Sequence, residues 1–417
     1  MKLFHVADLH LGKVLHGRDL LEDQEHALAQ LVQAARRERP AAVLLAGDIF
    51  DRAVPPVGAI RAFNTFIAAL KETDGNLAIV VIPGNHDSPQ RLSFLSGVLE
   101  GRGVHIRSDA EACDEPITVE RGGRLLRIWA LPYLNAGSFR EQPAAEGDDT
   151  LGRPARGQEA MMAVAIGRIM ARRAELDAAA ESKAEGSAAA APPAFDLLVA
   201  HAFALGCQGS DSERSYLGTA ELVDASLFDA FDYAALGHLH RPQAAGAAGR
   251  YPGSMLKYSF ADEGAERGFL IVELGEPTAA AVPAAGTEGG GRVEARFETL
   301  LPLRRMSRIE GRLDELLGDR RFDACKDDYV EATLLDAEGA INPMDALRAR
   351  FPWILSLRSA AFERPGGEAA PALDAGARRE PLDDFRAFHE ELRGAPPDAD
   401  EEALFLELVQ EAVRAAD

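Results

Sequence analysis

Short apolar runs alternate with longer stretches whose apolar positions recur every three or four residues through the first part of the chain. Leu77 to Ile82 is short, β-branched and not alternating, which predicts a strand buried on both faces, and Lys2 to Ala7 and Ala42 to Ala46 read as two further strands. Between them, Gln24 to Glu38 carries Leu28, Leu31, Val32 and Ala35 at helical spacing and is stopped by Pro40, and Pro56 to Thr73 repeats the pattern with Ile60, Phe63, Ile67 and Leu70. Strand, helix, strand, helix, strand in this rhythm predicts parallel β-α-β units. Asp8, Asp48 and Asn85 are thereby expected at the carboxyl ends of parallel strands, the edge where open α/β sheets bind ligands.

A second half repeats the scheme. Ile117 to Val119 and Leu125 to Leu131 read as an antiparallel pair joined at Gly122-Gly123, Gln158 to Ala180 as a helix, and Glu181 to Pro193 as an Ala-, Ser- and Pro-rich surface linker. Asp196 to Ala200 is a buried strand delivering His201, and Tyr233 to Leu236 another delivering Gly237-His238-Leu239-His240. Gly286 to Gly291 lies inside a terminal hairpin. From Arg304 the strands Ser307 to Leu313, Tyr329 to Leu335 and Ile354 to Ala360, with a helix over Pro343 to Phe351, predict a small α+β domain. The bridge Pro365 to Ala377 then leads to two amphipathic helices separated by Pro396-Pro397. Leu382, Phe385, Phe388 and Leu392 line one helix; Leu404, Phe405, Leu408, Val409 and Val413 line the other. The expected domains are 1–300, 301–364, a linker at 365–380, and a helical segment at 381–417.

A chain of 417 residues is long enough for two or three domains, and 47% apolar with 27% charged residues is an ordinary globular composition. No run approaches about 18 apolar residues, and the first strand begins at Lys2, so neither a membrane span nor a signal peptide is expected. Cys113, Cys207 and Cys325 form no spacing motif, which fits a reducing cytoplasm. A net charge of −22 argues against coating nucleic acid through a broad basic surface. It leaves room for an enzyme that holds phosphate at a metal cluster. Part of the acidic excess (Asp398, Asp400, Glu401, Glu402, Glu407, Glu411) also lies near the C-terminus.

The candidate chemistry centres on Ile82-Pro83-Gly84-Asn85-His86-Asp87, where an apolar run breaks and presents an amide, an imidazole and a carboxylate. Each polar cluster has an ordinary explanation when taken alone. Asp8-x-His10 is a common triplet, Gly47-Asp48 suits a turn, Asn85 and Asp87 suit helix caps, and a single His201 suits a core. All five clusters at one sheet edge supply the oxygen and nitrogen donors that two divalent ions require, with Asp48 as the candidate bridge. Mixed Asp, Asn and His donors suit manganese or iron better than magnesium and lack the thiolates of structural zinc.

Asp8-x-His10, Gly47-Asp48-x-x-Asp51, Gly84-Asn85-His86-Asp87, His201 and Gly237-His238-x-His240 together resemble the motifs of the calcineurin-like metallophosphoesterases. Within that family the stretches His5 to Lys13, Ala234 to Gln243 and Tyr251 to Phe260 are most similar to bacterial DNA-repair nuclease subunits. The resemblance covers residues 1–275 and, more loosely, the small domain.

It implies a four-layer α/β/β/α metallophosphoesterase sandwich with a small capping domain and C-terminal helices. It also implies two manganese ions, or other divalent ions. Asp8, His10, Asp48 and His240 would hold one ion; Asp48, Asn85, His201 and His238 would hold the other. His86 would be the catalytic histidine, with Asp87 orienting its ring, and Asp51 stands where eukaryotic and archaeal relatives carry histidine. The implied activity is metal-dependent hydrolysis of DNA phosphodiesters, as double-strand exonuclease and single-strand or hairpin endonuclease. The implied partners are DNA, a coiled-coil ATPase bound by the terminal helices, and a second copy within a heterotetramer. A small-substrate phosphodiesterase or protein phosphatase, and a scaffold with an idle site, are the alternatives.

Overall fold

The computed structural model describes residues 1–135, 138–139, 157–184, 194–209, 222–275, 292–336, 342–360 and 396–416, with isolated positions between 382 and 393. The chain divides into two compact units, Met1–Ala361 and Phe362–Asp417.

Two six-stranded sheets make up most of the first unit. One runs Val293–Thr299, Gly268–Leu274, Lys2–Val6, Ala42–Ala46, Ala78–Ile82, Val104–Ile106, and its last four strands are parallel. The other runs Gln243–Ala245, Gly249–Tyr251, Tyr233–Gly237, Ala194–His201, Arg124–Leu131, Ile117–Arg121, with its four middle strands parallel. Successive side chains of a strand point to opposite faces, and here both faces are covered. Leu44 and Val80 join Leu197 and Val199 between the sheets, whereas Val43 and Val81 pack outward with Leu28, Leu31 and Phe66 of the helices Leu21–Glu38 and Val57–Thr73. On the far side Trp129, Leu198 and Leu236 pack with Met161, Met162 and Ile169 of the helix Gln158–Ala184. Double burial is why these strands read as unbroken apolar runs, and the result is the four-layer α/β/β/α arrangement.

A buried polar contact pins the sheets together beside the strand ends. His5 Nε2 donates to the Leu236 carbonyl at 3.1 Å, which leaves Nδ1 to accept from the Tyr233 hydroxyl at 2.9 Å. Burial pushes the His5 imidazole down to about 3, so it crosses the inter-sheet layer neutral.

Some boundaries differ from the sequence expectation for local reasons. The first helix starts at Leu21, a turn before Gln24, because the Asp19 carboxylate accepts the Leu21 N–H at 2.9 Å. It ends at Arg39, in the left-handed region at φ 50°, just before Pro40. The long helix runs through Ala184 into the stretch expected as linker; residues 185–193, the Gly286 to Gly291 turn and the Pro365 to Ala377 bridge lie outside the described residues.

Past the sheets, Met306–Gly311, Tyr329–Leu334 and Ile354–Ser359 pair in parallel, so the small domain is built from crossovers, with the helices Leu313–Gly318 and Pro343–Arg350 in the connections. Ile309, Leu316, Val330, Leu347 and Phe351 form its own core. In the second unit Phe405 of the helix Ala399–Ala416 stacks on Phe385 at 4.2 Å, and Arg386 grips Glu402 through two hydrogen bonds of 2.6 and 2.8 Å. Leu404 and Leu408 of that helix remain 58% and 54% exposed. No described helix is long and apolar enough to cross a membrane.

Candidate metal centre

Every candidate donor sits just past, or at the end of, one of five parallel strands, three in one sheet and two in the other. To turn their side chains into one space the backbone enters a conformation that non-glycine residues avoid. Asp8, His10, Asp48 and His238 have φ of 54°, 44°, 50° and 108°. Such strain persists where surroundings over-determine it, and it clusters at functional sites. The glycines before the donors have a steric cause. Gly47 has φ 89°, and a Cβ there would run into the His201 ring, while one on Gly84 would strike Asp48.

Asp48 occupies the middle, with Oδ2 lying 3.5 Å from His10 Nε2, 3.7 Å from His201 Nε2 and 3.9 Å from His86 Nε2. Its other oxygen accepts the His86 N–H at 2.9 Å. On one side His10 Nε2 and His240 Nε2 approach to 3.0 Å, and Asp8 joins them in a cluster of converging donor atoms. Asp8 also accepts the His238 N–H at 3.0 Å, tying the two sheets' edges together. On the other side Asn85 Oδ1 lies 3.0 Å from His201 Nε2 and 3.2 Å from His238 Nδ1. His201 donates Nδ1–H to the Ala46 carbonyl at 2.9 Å, so the lone pair on Nε2 faces inward. His86 is set the same way: Nδ1 donates to the Asp51 carbonyl at 2.8 Å and Nε2 turns toward Asp48.

The electrostatics favour a cation. Burial drives His201 and His238 down to about 3 and holds His10 and His240 well below the ordinary range, so their ring nitrogens keep lone pairs to give. Burial raises Asp48. Burial, and then the Asp48 charge, push Asp87 up to about 7 against the pull of its backbone donors. Among the described residues the buried His10 Nδ1 finds no hydrogen-bond partner, and it lies 3.6 Å from an Asp51 carboxylate oxygen. Lone pairs and carboxylates converging in a buried space fit divalent ions, and the all-oxygen-and-nitrogen donor set has no thiolate.

The calcineurin-like phosphoesterase family matches residues 1–242, more than half of the chain. The chain belongs to that family. In this phosphoesterase, residues 302–393 further match the SbcD C-terminal family, type 5 capsule protein repressor C-terminal domain. The chain is similar to the SbcD subunit of the nuclease SbcCD from Staphylococcus epidermidis, 29% identical over 365 residues, with 87% of this chain and 86% of that protein covered. Two solved structures are also similar. A dimetal phosphatase from Danio rerio is 15% identical with a TM-score of 0.37, covering 72% of this chain and 99% of its own. TT1561 of Thermus thermophilus is 16% identical with a TM-score of 0.33, covering 64% and 92%. At these scores neither bears on the site.

The phosphoesterase fold brings together Asp8, His10, Asp48, Asn85, His86, His201, His238 and His240. Asp87 departs from the expectation that it orients the His86 ring. Its two oxygens accept the N–H groups of Ile49, Phe50 and Gly84 at 3.0, 2.9 and 2.9 Å, and the Asp51 carbonyl holds the ring instead. Asp87 thus braces the two loops carrying Asp48 and Asn85. The Asp51 carboxylate pairs with Lys13 at 2.8 Å, beside His10.

Sequence reasoning missed Gln24 and Tyr258, which are buried behind the Asp8–Gly12 loop. A signal existed for Gln24: it lies four and seven residues before Leu28 and Leu31, a polar side chain on the apolar stripe.

Proposed function

We propose that this phosphoesterase is the nuclease subunit of an SbcCD-type complex, a manganese-dependent enzyme that hydrolyses DNA phosphodiesters. The observation that carries the reading is Asp48 Oδ2, flanked by His10 and His201 at 3.5 and 3.7 Å, as a carboxylate shared by two ions would be. Asp8, His10, Asp48 and His240 would hold one ion, and Asp48, Asn85, His201 and His238 would hold the other. Bound ions of this kind supply Lewis acidity toward phosphate oxygens and activate water near neutral pH. Asp8 and Asp48 offset the ionic charge, and burial keeps the imidazoles neutral as ligands. His86 Nε2 faces the same space, with its tautomer set by the Asp51 carbonyl, and there it passes a proton to the leaving oxygen or stabilises charge on the phosphate. Asp87 acts through the loop backbones, and Asp51 through Lys13, His10 and its own carbonyl.

DNA as substrate is supported by the similarity to the SbcD subunit of the nuclease SbcCD across 87% of this chain. We assign double-strand exonuclease and single-strand or hairpin endonuclease action on the same ground. The division is then a nuclease domain at 1–300, a small capping domain at 301–364 that docks DNA, a linker at 365–380 and a partner-binding segment at 381–417. Leu404 and Leu408, one helical turn apart and exposed, suit docking onto a coiled-coil ATPase of SbcC type. Phe94 and Val98, 73% and 71% exposed, suit contact with a second copy. Free cysteines and the absence of a described membrane helix fit action in the cytoplasm.

The test is incubation with manganese on linear duplex DNA, hairpin DNA and a chromogenic phosphodiester, with and without the SbcC-type ATPase and ATP. Manganese-dependent DNA cleavage is expected. Turnover of the chromogenic ester with no DNA cleavage under any condition would refute the nuclease reading in favour of a small-substrate phosphodiesterase.

A further inference from the structure

We propose that Gln24 is the positioning residue for the Asp8–Gly12 loop, and that its neighbour Asp23 ties this support to the small domain. The inference rests on the reading of Asp8 and His10 as metal donors. That loop needs support, since Asp8, His10 and Gly12 have φ of 54°, 44° and 85°, and two of its carbonyls point away from the centre into buried protein.

Gln24, fully buried in the first turn of the helix Leu21–Glu38, answers both ends of the loop. Its amide nitrogen faces the His10 carbonyl at 2.7 Å, the Leu9 carbonyl at 3.3 Å and the Tyr258 hydroxyl at 3.2 Å, while its oxygen accepts the Gly12 N–H at 2.9 Å. Tyr258 adds a second donor to the Leu9 carbonyl at 2.5 Å. An amide is the side chain that can give two N–H groups and take one; a carboxylate in its place would face two carbonyls with no proton to give.

Asp23, the preceding residue, looks the other way. Its carboxylate accepts from the Tyr329 hydroxyl at 2.6 Å and from Arg304 at 3.3 Å. Tyr329 opens the central strand of the small sheet. Around these contacts the seam is open, with a cavity of about 230 Å³ lined by Leu20, Asp23, Met255, Arg267 and Tyr329. Adjacent residues of one helical turn therefore grip the metal loop and the small domain, and displacement of one is felt by the other.

The experiment titrates the full-length, metal-free protein with manganese alone, by calorimetry and by electron paramagnetic resonance, for the parent, Gln24→Glu and Tyr329→Phe. Gln24→Glu is expected to weaken manganese binding about tenfold or more and to abolish the resonance signature of a coupled ion pair. A merely structural role would lower the melting temperature and leave that signature in place. Tyr329→Phe is expected to weaken binding in the same direction and by less.

Parental affinity and signature in Gln24→Glu would overturn the positioning role, and parental behaviour of Tyr329→Phe would overturn the tie to the small domain. Should Gln24→Glu fail to fold, Tyr258→Phe removes one hydroxyl from the same network and carries the same two outcomes. A parent that takes up no manganese would overturn the metal reading and this inference together, a result distinct from a variant that matches a competent parent.

Discussion

The metal edge and the seam with the small domain are both polar and partly buried, yet they are built in opposite ways. At the edge each donor follows directly on a strand, Asp8 and His10 on one and His238 and His240 on another, and the fold has only to bring five strand ends together. At the seam the partners are long side chains from distant segments: Trp353 lies between Arg18 and Arg304 at 4.2 and 3.9 Å, and Arg304 also reaches Asp23 and Glu22. The edge tolerates backbone strain because buried hydrogen bonds over-determine it, whereas the seam keeps a cavity and depends on a few contacts. One region is constructed to hold atoms still, the other to hold a domain in place.

Substitutions should separate the two regions. The largest effect is expected from His86→Ala at the edge, a fall in DNA cleavage of about 10² to 10⁴-fold with manganese binding retained in calorimetry. Near-parental cleavage would remove His86 from the chemistry. Asp87→Asn comes next. Replacing an oxygen that accepts backbone N–H groups from both loops should weaken manganese binding about 10- to 100-fold, while parental binding would show that the loops hold without it.

The His5 contact between the sheets gives a pH signature. Its imidazole is depressed to about 3 when folded against about 6.5 when unfolded, so the unfolded state binds the extra proton and stability falls as pH drops from about 6.5 toward 3. His5→Gln should reduce that slope by about 1.4 kcal/mol per pH unit in denaturant titrations. An unchanged slope would place the His5 titration elsewhere. The smallest effect is expected at the seam. Trp353→Ala should lower stability by about 1 to 2 kcal/mol, through two lost cation–π contacts, and should weaken manganese binding far less than Gln24→Glu does. A large change in affinity would erase the distinction between the regions.

The same contrast explains what was legible in the sequence. A buried strand that ends directly in a donor, with a glycine between at Asp48, Asn85 and His238, is a local pattern, so Asp8, Asp48, Asn85, His201 and His238 could be placed at one edge from periodicity alone. The partners of Asp87 were not legible. Whether a carboxylate finds the neighbouring ring or the N–H groups of Ile49 and Phe50 depends on how two loops approach in space. Gln24 left a trace only as a polar residue on an apolar stripe, and its helix starts a turn earlier, where the Asp19 carboxylate accepts the Leu21 N–H, a start that hydrophobic spacing does not mark. At the seam Asp23, Tyr329 and Trp353 carry no local pattern, because their partners are set by how the small sheet packs against the larger ones.

The central claim is that one sheet edge holds two ions through a shared Asp48. Its most direct test is manganese stoichiometry of the metal-free protein, measured for the parent and for Asp48→Asn. Two ions per chain in the parent, with binding of both weakened together in Asp48→Asn, is the predicted result. Two ions bound at parental affinity by Asp48→Asn, or a single ion in a fully active parent, would contradict it.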